Sequence, residues 1–88
     1  MTYRERTVSI INQLAKWGVP HMVKNSGMGY VISFPWTKGK VRCDEFVFSD
    51  ESDAVETYGF IWDNNKISSM STYEVTCKVI DLYREKIK

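Results

Sequence analysis

Tyr30-Val31-Ile32-Ser33-Phe34-Pro35-Trp36, then Thr37-Lys38-Gly39-Lys40, then Val41-Arg42-Cys43-Asp44-Glu45-Phe46-Val47-Phe48 is the stretch that decides the fold. β-Branched and aromatic residues fill the first and third segments, and the glycine-containing segment between them is a turn. The pair therefore reads as the centre of a small antiparallel sheet. In the first run Tyr30, Ile32, Phe34 and Trp36 share one face, and Val31, Ser33 and Pro35 the other. Pro35 has no N–H for a ladder, so it belongs at the strand's end or at an unpaired edge. The second run changes phase: Val41 and Cys43 share one face, while Phe46 and Phe48 have the opposite parity. A β-bulge at Asp44-Glu45 returns both pairs to the core side.

Upstream, His21 to Asn25 is a short strand, and Ser26-Gly27-Met28-Gly29 is a hairpin loop able to accept positive φ. Before it the spacing predicts a helix over residues 3–17. Thr2 and Glu5 make a capping box. Tyr3, Thr7, Ile10, Ile11, Leu14 and Trp17 form the buried stripe, with Val8 and Ala15 at its margin. Gly18 takes the left-handed position after the helix, and Pro20 prevents its resumption.

Downstream, Ser49-Asp50-Glu51-Ser52-Asp53 is an acidic loop. Residues 54–62 read as a strand, with Tyr58, Phe60 and Trp62 on one face; Gly59 and the aromatic and β-branched content weigh against a helix. Asp63-Asn64-Asn65-Lys66 is a turn. Residues 66–69 add a short edge strand, and Ser71 caps a second helix with Glu74 completing the box. Its stripe is Val75, Val79 and Leu82 beside Thr76, Ile80, Tyr83 and Ile87. The expectation is one α+β domain of 88 residues in the order α-β-β-β-β-α. It has two layers, an antiparallel four-stranded sheet with a short fifth strand as an addition, and both helices on one face. The other face is open to water or a partner.

The function classes narrow by chemistry. A net charge of +1 gives no global attraction to nucleic acid or membrane. No apolar run approaches a membrane span, and the charged N-terminus lacks a signal-peptide core. Cys43 and Cys77, far apart and within apolar patterns, read as reduced, buried side chains of a cytoplasmic protein. His21 is the single histidine, too few for a zinc site or a Cys-His nucleophile pair. Gly27 and Gly29 close a hairpin and are not a nucleotide fingerprint. Asp44, Glu45, Asp50, Glu51, Asp53 and Glu56 fall within residues 44–56, without the spacing of a calcium loop. No catalytic constellation, metal or cofactor is expected.

What stands out is segregated charge beside many rings. Three Trp, five Tyr and four Phe exceed what a minimal core of this size needs. Lys38, Lys40 and Arg42 are followed at once by the acidic stretch. With Trp36, Tyr58 and Trp62 as anchors, Lys38, Lys40 and Arg42 as the basic half, and Asp50, Glu51 and Asp53 as the acidic half, this is the make-up of a protein interface. The leading expectation is a non-catalytic module that binds another protein, an inhibitor or adaptor of the kind phages and mobile elements encode. A second is nucleic-acid binding through the basic turn and sheet aromatics. A third is a homodimer through the open face or an edge strand. The element order resembles that of double-stranded-RNA-binding domains. The second helix departs from that family's lysine-rich start: it opens Ser71-Thr72-Tyr73-Glu74, and Lys78 is its first lysine.

Overall fold

Helix α1, Tyr3–Lys16, ends where its backbone leaves the helical path at Gly18, whose φ is 70°. The computed structural model describes residues 3–25, 29–44, 57–62, 65–68 and 71–87, with backbone alone for Tyr3, Asp44 and residues 57–68. Thr2 therefore lies outside the described residues. At the end of α1 the Gly18 N–H donates to the Ala15 carbonyl and the Val19 N–H reaches back to Leu14, at 3.1 and 2.9 Å. These two bonds are the Schellman closure, whose signature is an apolar contact across it. Val19 and Leu14 supply that contact, both within the buried core.

The closure corrects one expectation. Trp17 continues the helical stripe in sequence, yet it is 52% exposed, and Val19 takes the buried place at 3%. The Trp17 N–H still donates to the Gln13 carbonyl at 3.1 Å, so the ring stands at the last helical position, and the reversal at Gly18 after it brings Val19 back to the core. Val8, expected at the margin, and Ile87, expected in the second stripe, are also exposed.

Five strands follow: β1 Met22–Asn25, β2 Gly29–Ser33, β3 Lys40–Asp44, β4 Thr57–Trp62 and β5 Asn65–Ser68. They pair antiparallel, each with its neighbour in sequence. The α+β class and the antiparallel sheet agree with the sequence reading; the sheet has five strands where that reading counted four and a short addition. Residues 45–56, with Phe46, Phe48 and the bulge expected at Asp44-Glu45, lie outside the described residues. The register does shift elsewhere, between Phe60 and Ile61 where β4 meets β5.

Strand β2 stops at Ser33, earlier than its alternation suggests. The Thr37 N–H donates to the Phe34 carbonyl at 3.3 Å, closing a turn with Pro35 and Trp36 at its two centres. Proline's fixed φ favours the first of these positions, so the turn begins where the ladder loses its donor.

Helix α2 spans Thr72–Lys86. The Ser71 hydroxyl oxygen accepts from the Glu74 N–H at 3.2 Å and its proton is given to Glu74 Oε1 at 3.0 Å. The first bond is the N-cap the sequence reading expects; the Glu74 carboxylate meets the Ser71 hydroxyl rather than the Ser71 N–H that a capping box uses. The core joins Ile10, Leu14 and Val19 to Ile32, Phe34, Val41 and Cys43 of the sheet side and to Val75, Val79 and Ile80 of α2. Both helices thus cover the sheet face that carries Ile32 and Val41, which are cross-strand partners. Among the described residues no helix is long and apolar enough to cross a membrane.

Candidate functional site

Strand geometry sends successive side chains to opposite faces. Ile32, Val41 and Cys43 are buried under the helices, so Val31, Ser33, Lys40 and Arg42 point the other way, and all four are partly exposed. The register extends this face to the edge strand. Lys24 pairs with Val31, which pairs with Arg42; Met22 pairs with Ser33, which pairs with Lys40. Two rows therefore cross the sheet, one reading Lys24-Val31-Arg42 and the other Met22-Ser33-Lys40. Gly59 of β4 follows Arg42 in its row and brings no side chain. On this face the Arg42 Nε is buried while Lys24 and Met22 are exposed.

The spacing of the cations follows from the sheet itself. Lys40 and Arg42 lie two residues apart on one strand, roughly 6.5 Å, and Lys24 stands two strands from Arg42, roughly 9.5 Å. In water, repulsion at the shorter distance is about 0.6 kcal/mol. Such a cluster is cheap to keep; Arg42, with its Nε buried, is already engaged within the fold, and Lys24 and Lys40 are the cations that an arriving anion would meet. Lys38, exposed in the turn before β3, adds a fourth cation at the rim. Met22, 55% exposed, and Val31 supply apolar area between the charges.

The other expected site residues are placed differently. Trp36 is half-buried on the helix side: its ring centroid lies 5.3 Å from that of Phe34 and 5.1 Å from that of Tyr83. Its Nε1–H donates to the Pro20 carbonyl at 3.0 Å. Trp36 thus ties the loop after α1 to α2, and it does not share a face with Lys40 and Arg42. The alternation that places Trp36 in phase with Ile32 and Phe34 puts it on the side the helices cover, opposite Lys40 and Arg42, so the expectation of an exposed anchor there is corrected. The backbone of Tyr58 pairs with Cys43 and that of Trp62 with Asn65; their rings lie outside the description. Asp50, Glu51 and Asp53 lie outside the described residues.

Two residues missed as exposed anchors are Trp17 and Tyr73, the latter 78% exposed. Tyr73 sits off the α2 stripe, and that offset is legible in sequence. Cys43 is buried and Cys77 half-buried, and both are free thiols. The hydrogen bond with the Cys77 side chain, and then the charge the thiol acquires, raise the Tyr73 phenol above its ordinary value. His21 Nδ1 stands 2.8 Å from the Val19 carbonyl, which only accepts, so Nδ1 carries the proton and the ring is pinned at the turn. Among the described residues no three His, Cys, Asp or Glu side chains converge as a metal site. Comparison with family models, curated proteins and solved structures finds no match to this chain.

Proposed function

We propose that this domain is a non-catalytic module that binds another protein, as an inhibitor or adaptor, through the sheet face turned away from its helices. The observation that carries the reading is the pair of rows Lys24-Val31-Arg42 and Met22-Ser33-Lys40, cations interleaved with apolar side chains on one face. A binding surface needs apolar area for affinity and charge for selection and orientation. The partner surface that fits is acidic with apolar residues among its carboxylates. The free thiols of Cys43 and Cys77 suit a reducing compartment such as the cytoplasm.

The second reading, nucleic acid, draws on the same cations. Single strands are held by stacking on rings as well as by charge. The described side chains of this face are Met22, Lys24, Val31, Ser33, Lys40 and Arg42, with no ring among them. That composition favours protein.

The test is affinity capture from native cells with the wild-type chain and with Lys24→Glu/Lys40→Glu. A discrete protein retained by the wild type, lost by the variant and indifferent to nuclease supports the reading. Capture that nuclease abolishes, with oligonucleotide binding that falls steeply with salt, replaces it with the second.

A further inference from the structure

The helix layer carries a feature that the sheet-face reading does not use. A groove of about 620 Å³ runs between α1 and α2 on their outer side. Arg84 lies over the Trp17 ring, 4.9 Å from its centroid, and closes one end. Tyr73 stands at the other end, eleven residues of helix away, roughly 16 Å.

On α1 the lining comes from Ser9, Gln13, Lys16 and Trp17. On α2 it runs from Thr72 to Arg84, about three turns, with Thr76 and Ile80 buried within it. Gln13, Lys16, Tyr73 and Arg84 are exposed along it. A trough of that length between two helices matches about three turns of a third. The exposed aromatics of the helix layer, Trp17 and Tyr73, bracket the groove. Rings left in water at both ends of a groove are the anchors interfaces use.

Charge selects the occupant. Lys16 and Arg84 line the Trp17 end, and Asp81 is the acid among the lining residues. With two cations to one anion, a carboxylate at that end is favoured.

We infer that this groove receives an amphipathic helix of a partner protein, about three turns long, with its apolar ridge between Tyr73 and Trp17 and a carboxylate at the level of Lys16 and Arg84. The mode is helix-in-groove recognition. It is independent of the sheet face, and each can fail without the other.

The probe is a stapled amphipathic peptide of about four turns, leucines along one ridge and glutamate at the ridge's end, with a twin carrying lysine there. Both are titrated into the isotope-labelled chain by NMR. The glutamate peptide is expected to give saturable shifts at Gln13, Tyr73 and Cys77, to perturb the Trp17 indole, and to bind about tenfold more tightly than its twin. Lys16→Glu/Arg84→Glu is expected to reverse that preference. Tyr73→Ala, at a site too exposed to matter for folding, is expected to weaken the glutamate peptide about tenfold with Tm unchanged. Equal binding of the twins, shifts away from the groove, or no saturation at millimolar peptide overturns the inference. So does concentration-dependent self-association centred on these residues, which assigns the groove to a second copy.

Discussion

The Val19 N–H donates to the Leu14 carbonyl at 2.9 Å, and the two side chains meet in the core across the bond. One backbone reversal thereby does two things: it ends α1 just after Trp17 and seats Val19 in the core.

That reversal depends on Gly18 at φ 70°. A Cβ built there meets nothing within 4 Å, so Gly18→Ala brings backbone strain and no collision. The expected loss is about 1–2 kcal/mol, read as a lower urea midpoint at unchanged m-value. A neutral substitution contradicts the closure described above.

Trp36 makes a second tie, donating to Pro20 and packing between Phe34 and Tyr83. Trp36→Phe removes the donor and keeps most of the ring area, at an expected cost of about 1 kcal/mol. Trp36→Ala removes both and is expected to cost about 3 kcal/mol. Thermal melts of the two variants separate the terms. Should Trp36→Ala melt like the wild type, the ring is not structural and returns to the list of partner contacts.

Tyr73 and Cys77 offer a titration test. The Cys77 side chain raises the phenol's pKa, so Cys77→Ala is expected to move its deprotonation down toward about 10. The sign follows from removing both the hydrogen bond and the thiolate charge that oppose the phenolate. Ring shifts of labelled tyrosine against pH report it. An unchanged midpoint means the two side chains do not interact in solution.

Much of the frame was legible from residue chemistry. Ser71 caps α2 as its place in the sequence implies, and Gly18 with Pro20 marks the end of α1. Two expectations fail for different reasons. Trp17 is in phase with Leu14, yet it stands at the last helical position and Val19, returned by the reversal at Gly18, fills the core there. Trp36 is in phase with Ile32 and packs on that same helix side, so its periodicity already speaks against an exposed anchor. The binding face was half legible. Lys38, Lys40 and Arg42 are close in sequence, whereas Lys24 joins them only through the pairing of Lys24 with Val31 and Val31 with Arg42. Those pairings are set by the registers of two successive hairpins, which turn geometry and the buried face fix together, and the residues of Met22–Asn25 alone do not announce them.

The most direct measurement of the central claim is photo-cross-linking in native cells from a probe at Ser33, between the two rows of the sheet face, with a control probe at exposed Lys78. The account expects a discrete protein adduct from Ser33, absent from Lys78 and lost when Lys24 and Lys40 are both changed to glutamate, in a chain whose stability moves by no more than about 0.5 kcal/mol. No adduct from Ser33, an adduct indifferent to those charges, or one made of nucleic acid contradicts it.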